Sequence, residues 1–112
     1  RWQIVPERND SSVLVPGMIT TNEPAIYLEN KYGIRIENEL MCVEKATNEF
    51  GEFLCFETIT YAPIDLDAIN INLLNQQEKD WLNNYHKDVY DKISPFLEPE
   101  EQEWLKEYTK AI

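Results

Sequence analysis

The sequence predicts an α+β fold, with antiparallel strands over residues 17–62 and helices near 76–93 and 99–109. Three observations predict it. Apolar and polar residues alternate at a spacing of two in the first half, as on half-buried strands. Two turn-forming stretches, "ENKYG" and "TNEFGE", punctuate that half. After Pro63 the apolar spacing switches to three and four residues, the helical repeat.

Each element follows from local chemistry. Residues 1–16 read as irregular: "PERNDSS" is turn chemistry, and "VLVPG" leads into the first strand. Trp2, in that segment, has no assigned place. "GMITTNE" is a strand ended by Pro24, which lacks a ladder donor and restrains Asn22 and Glu23 to extended geometry. "AIYL" continues extended, and "ENKYG" is a turn closed by Gly33. "IRIENELMCVEKA" reads as one long strand, "TNEFGE" as a second turn, and "FLCFETITYAPI" as another strand. Two hairpins in series give an antiparallel meander. "IDLDAININLL" is a short connector, irregular or of single turns. Asn75 with Glu78 forms a capping box for a helix carrying Trp81, Leu82, Tyr85, Val89 and Ile93 on one face. That helix ends near Ser94-Pro95, since a residue before proline disfavours helix. Pro99 opens a last helix, with Glu100 and Glu101 in its first turn and Trp104, Leu105 and Tyr108 on its apolar face. The tryptophans and tyrosines at helical spacing read as core or helix–helix packing. There is no internal repeat and no low-complexity segment.

The chain has 112 residues, enough for one small core. Its net charge is −11, with ten acids against five bases in residues 1–62 and eleven against five in 63–112. That balance argues against nucleic acid or an anionic membrane as partner, both of which need basic patches. No apolar run approaches the ~18 residues of a membrane span. The start, "RWQIVPERND", lacks the apolar segment of a signal peptide. It opens on Arg1 rather than Met, so the expectation is a fragment of a longer protein. Cys42 in "LMCV" and Cys55 in "FLCF" read as buried free thiols, and a reduced, cytoplasmic setting fits them.

The chemistry lies in "TNEPAIYLENKYGIRIEN". Alternation puts Ile19, Thr21 and Glu23 on one face of their strand. It puts Arg35, Glu37, Glu39, Met41 and Val43 together on theirs. If the strands pair through the turn at 29–33, Glu23 and Glu37 converge. Converging carboxylates repel unless a cation neutralises them or a proton is shared. A hard divalent metal is one solution. Arg35, as a structural ion-pair partner, is the other. Glu57, a third acid on an apolar strand, is assigned a structural role, hydrogen-bonded at the junction with the helical part. Tyr27 and Tyr32 flank the hairpin turn and read as strand-surface packing. His86 reads as a partly exposed packing residue rather than a ligand.

"PGMITTNEPAIY" followed by "YGIRIENELMCVE" resembles the catalytic domain of the aminopeptidase P, prolidase and creatinase family, the pita-bread fold. The family pattern is G-M, T-x-E-P-G-x-Y, then G-x-R-I-E-[ND]. The resemblance implies a two-metal centre, commonly manganese, to which Glu23 and Glu37 are ligands. Glu37 would bridge both metals. Glu23 would bind one and take the proton of the attacking water. Arg35 matches the arginine that supports the site from behind the ligands. The downstream stretches, "WLNNYHKDVYDKISPFL" and "EWLKEYTKAI" among them, resemble the helical C-terminal extension of the long, three-domain Xaa-Pro aminopeptidases. The likeness covers roughly residues 14–112. One departure is Ala25, where the family usually has Gly. The implied domains are the C-terminal part of the metallopeptidase catalytic domain at 1–62 and the helical extension at 63–112. The implied substrate is a peptide with proline at the second position, and the implied assembly of the intact enzyme is a homodimer. The remaining ligands, two aspartates and a histidine, would lie N-terminal to this chain. The expectation is therefore an inactive fragment of an active enzyme. The competing expectation is a non-catalytic interaction or structural module, including a family member without metals.

Overall fold

The structure, a computed structural model, describes residues 7–112. Readings that touch residues 1–6, Trp2 among them, lie outside the described residues. The class is α+β, with antiparallel strands first and helices after. The chain forms two compact units, one ending at Thr60 and one running Tyr61–Ile112.

The first unit holds five strands: β1 Ile19–Asn22, β2 Ala25–Leu28, β3 Tyr32–Arg35, β4 Asn38–Asn48 and β5 Gly51–Thr58. Both expected hairpins form, β2 with β3 and β4 with β5. They do not join into one sheet. The first sheet has the order β1-β4-β5, and β2-β3 is a separate two-stranded ribbon. The long strand expected from Ile34 to Ala46 is broken at Ile36-Glu37. Pro24 explains the break. Its carbonyl accepts from the Ile36 amide at 3.2 Å, but it has no N–H to return.

The β2–β3 loop is Glu29, Asn30 and Lys31, with Asn30 at φ 56°, a conformation asparagine tolerates. The β4–β5 loop is Glu49-Phe50, tied by the Phe50 amide to Asn48 Oδ1 at 2.9 Å and followed by Gly51 at φ 129°. Strand β5 stops at Thr58, short of the expected "YAPI". The chain stays pinned to β4 beyond it. Glu39 donates its N–H to Thr60 Oγ1 at 2.7 Å and accepts from the Ile59 amide at 2.9 Å. One extra residue, Lys45, bulges β4 between Glu44 and Ala46.

The second unit opens with 3-10 turns at Leu66–Ala68 and Ile71–Leu73, each capped by its preceding Asp65 or Asn70 side chain. Helix α1 spans Gln76–Ile93 and α2 Pro99–Tyr108, joined through a 3-10 turn at Ser94–Phe96. The Asn75–Glu78 capping box closes both ways: Asn75 Oδ1 accepts from the Glu78 amide at 2.9 Å, and Glu78 Oε2 accepts from the Asn75 amide at 2.8 Å. The core is Leu82, Tyr85, Val89 and Leu105. The Tyr85 hydroxyl donates to the Ala62 carbonyl at 2.7 Å. Asn83 clamps the backbone of Ile112 in both directions, at 2.9 and 3.3 Å.

Three packing expectations need correction. Trp81 and Trp104 face outward, 53% and 55% exposed, each stacked on the tyrosine four residues on. An indole at the edge of the apolar stripe covers its own helix instead of entering so small a core. His86 is fully buried, not partly exposed. Cys55 is only half-buried, while Cys42 is buried, and both are free thiols. Among the described residues no helix is long and apolar enough to cross a membrane.

Candidate metal centre

The two ladders share one register. Asn22 faces Asn38 at the end of the β1–β4 ladder. Ala25 faces Arg35 at the start of the β2–β3 ladder, three residues further along each strand. The gap therefore sets Glu23 opposite Glu37, and Pro24 opposite Ile36. Bonds between Cys42 N–H and the Met18 carbonyl, and between Ile36 N–H and the Pro24 carbonyl, mark the hydrogen-bonded pairs. Glu23 and Glu37 fall on the alternate, non-hydrogen-bonded pair, where facing side chains approach most closely. The strand alternation thus brings the two carboxylates together at the point where proline interrupts the sheet.

Both acids are exposed rather than sunk in apolar surroundings, with side chains 38% and 34% accessible. Arg35 stands between them. Its Nη2 lies 2.9 Å from Glu37 Oε2, and its Nη1 lies 3.6 Å from Glu23 Oε2. The other Glu23 oxygen accepts from the Thr21 hydroxyl at 2.9 Å. Arg35 is held above its ordinary pKa, first by a hydrogen bond to Tyr27 and then by the charge of Glu37. The ion-pair partner read from the sequence is therefore what neutralises the carboxylates in this structure.

Tyr27 was not singled out for this role. It faces Gly33 across the ribbon, one diagonal step from Arg35. A side chain at Gly33 would meet Tyr27 Cδ1 at 2.5 Å and Cε1 at 2.9 Å, so only glycine lets the ring lie flat there. The signal was in the sequence: Tyr27, Gly33, Arg35 and Glu37 fall on one face by alternation. Ala25 is an ordinary strand residue paired with Arg35, and its φ is not positive. The family's usual glycine is therefore not required at this backbone.

Glu57 corrects an expectation. It faces Met41 at the edge of the sheet, exposed, and its side chain makes no hydrogen bond among the described residues. The junction bond assigned to it belongs to Glu39 and Thr60 instead. His86 is a core residue: its Nε2 accepts from the Ile64 amide at 3.1 Å, and its Nδ1 has no hydrogen-bond partner. Burial lowers its pKa.

Glu23 and Glu37 offer hard oxygen donors of the kind that suit a divalent ion. They fit as part of a donor set. Among the described residues, no group of three or more His, Cys, Asp or Glu side chains converges as a complete metal site.

Comparison with known proteins identifies the family. The model of metallopeptidase family M24 matches residues 2–44, which hold both glutamates. The model of the C-terminal region of peptidase M24 matches residues 52–112, more than half the chain. The chain belongs to metallopeptidase family M24. It is 42% identical over 108 residues to a Coprinopsis cinerea protein named Probable Xaa-Pro aminopeptidase P, covering 92% of this chain and 17% of that protein. It is 43% identical over 100 residues to Aminopeptidase P2 of Arabidopsis thaliana, covering 86% of this chain and 14% of that protein. The fold matches an X-prolyl aminopeptidase crystal structure from Caenorhabditis elegans, described as a cytosolic enzyme with a di-nuclear active site. That match has a TM-score of 0.77 and 36% identity over 88% of this chain and 17% of that one. The M24 chain thus spans about a sixth of the length of its relatives. Its fold is the C-terminal part of the pita-bread architecture.

Proposed function

We propose that this chain is the C-terminal part of a dinuclear-metal Xaa-Pro aminopeptidase. The substrate is a peptide with proline at the second position, and the bond cut is the one joining the first residue to that proline. Residues up to about 62 belong to the catalytic domain, and 63–112 form its helical extension. The observation that carries the reading is the facing of Glu23 and Glu37 across a closely approaching strand pair, within the stretch matched by the M24 model.

The roles divide among the chain's own residues. Glu37 would hold both ions. Glu23 would hold one ion and accept the proton of the attacking water, and the Thr21 hydroxyl donates to its Oε1. Arg35 orients the Glu37 carboxylate. Bound divalent ions, manganese by family resemblance, would supply a hydroxide nucleophile at neutral pH. The remaining donors come from outside the described residues, so the 112-residue chain alone is expected to show no peptidase activity and weak metal binding. A cytoplasmic setting and a homodimeric intact enzyme complete the reading. The cytosolic description of the C. elegans enzyme supports the first.

A second reading is a metal-free interaction or structural module. Arg35 is the observation for it, because its guanidinium pairs with both carboxylates and is by itself a counter-charge for them. One experiment separates the two. In the intact protein, Glu37→Gln and Glu23→Gln should each lower metal content and abolish most cleavage of a proline-containing tripeptide. Glu37→Gln should be the worse. If Glu37→Gln keeps both ions and full activity, the assignment of ligands is wrong.

A further inference from the structure

The two facing glutamates are held by different groups. Glu37 has Arg35, whose Nη2 lies 2.9 Å from its Oε2. From Glu23 the same guanidinium stands off at 3.6 Å, too far for a hydrogen bond. The hydrogen-bond donor to Glu23 among the described residues is the Thr21 hydroxyl, 2.9 Å from its Oε1. The backbone prepares this contact. Thr21 lies in β1 and Glu23 just past its end, so two residues of extended chain put both on one face. Pro24 keeps Glu23 extended, and the branched side chain of threonine is stiff at χ1. Thr21 also has a second acceptor within its register. It faces Glu39 across the β1–β4 ladder, yet its single hydroxyl proton goes along its own strand to Glu23.

We propose that Thr21 is a positioning residue of the metal centre: its hydroxyl fixes the direction in which the Glu23 carboxylate meets the ion and the attacking water. The inference rests on the metal reading above and adds a residue that is not itself a ligand. A hydroxyl suits the task because it is neutral, so it orients an anion without repelling a cation on the same carboxylate. It also leaves room, since a carboxylate accepts at about four positions and one hydroxyl fills one of them. Arg35 and Thr21 divide the support, the first behind Glu37 and the second behind Glu23. A glutamate without such an anchor keeps its rotamer freedom, which must then be lost each time the site assembles.

The test is calorimetric titration of the intact, chelator-treated protein with Mn2+ alone, beside kcat and KM for a proline-containing tripeptide. Thr21→Val keeps the branched shape and the strand preference but removes the donor. It should bind Mn2+ roughly three- to tenfold more weakly than the parent, the range of one net hydrogen bond. Its kcat should fall about tenfold with KM within about twofold, as a loss of positioning requires. Thr21→Ser keeps the hydroxyl and should return both affinity and kcat to within about twofold of the parent. A structure of the Mn2+-loaded parent gives a check that needs no variant: the Thr21–Glu23 contact should stay within hydrogen-bonding distance. Parent-like Mn2+ affinity and kcat in Thr21→Val overturn the inference and leave the ligand assignment intact. So does a Thr21→Ser as impaired as Thr21→Val, or a contact broken in the loaded parent. Failure of the parent to take up Mn2+ at all overturns both.

Discussion

Gly33→Ala isolates the positioning of Arg35 from the stability of the fold. The new methyl would lie 2.5 Å from Tyr27 Cδ1 and 2.9 Å from Cε1. Ordinary contact starts near 3.4 Å, so the ring must retreat by about 0.9 Å. No backbone atom resists. The nearest backbone atom, the Ile26 carbonyl oxygen, is 3.7 Å away, and Tyr27 is 68% exposed and free to swing outward. The backbone at Gly33 does not have positive φ, so alanine fits it. Removing a glycine stabilises by about 0.4–1 kcal/mol through the unfolded chain. Losing the cross-strand packing of Tyr27 costs about 0.2–1 kcal/mol. The two nearly cancel, and the melting temperature should move by no more than a few degrees. The phenol, however, leaves Arg35, and misplacement of about 1 Å near reacting groups can cost up to 100-fold. In the intact protein, kcat/KM for a proline tripeptide should fall roughly 10- to 100-fold with metal content unchanged. Tyr27→Phe, which keeps the ring but not the hydroxyl, should show a similar loss. A large drop in melting temperature would mean the ring is not free to move. Unchanged kcat/KM at unchanged stability would mean that Tyr27 does not position Arg35.

Glu57→Gln should leave metal content intact and shift stability by less than about 0.5 kcal/mol, since an exposed, unbonded acid is being neutralised. Loss of metal in this variant would move the site to the wrong strand. His86 gives the helical unit a pH dependence of defined sign. Its folded pKa is depressed by burial, so the unfolded chain binds the proton more readily. The stabilisation is complete above about pH 6.5 and declines as pH falls below it. A urea titration at pH 7.5 and 5.5 reads this out. His86→Leu should flatten the profile while lowering stability at pH 7.5 by about 1–3 kcal/mol, because the Ile64 amide loses its acceptor. A profile as steep in His86→Leu as in the parent would assign the effect to another group.

The helical half was legible nearly to the residue. The Asn75–Glu78 box and the prolines at 95 and 99 are local signals, and local signals set helix ends. The strand half was legible in its alternation, which is why Glu23, Arg35 and Glu37 could be placed on one face. The partition into two sheets was not. It depends on a single missing donor at Pro24, which reads as the end of one strand but also interrupts the partner strand at Ile36-Glu37. Depth was the weakest inference. His86, Trp81 and Trp104 share helical spacing with true core residues, and periodicity alone does not say which stripe edge is covered. For the same reason Glu57 looked like Glu37: both are acids among apolar neighbours, and only pairing partners separate them.

The shared register has a consequence for which lengths of chain are permitted. The loop Glu29–Lys31 sits beyond the last pair of the ribbon, Leu28 with Tyr32, so residues added there leave every facing pair in place. The short links at 23–24 and 36–37 have no such freedom. One residue added to or removed from either link turns its glutamate to the opposite face of the ribbon and away from its counterpart. Only a matched change in both links restores the facing. Length variants of this hairpin should therefore survive at its tip and fail at its waist, even where the altered sequence keeps both glutamates.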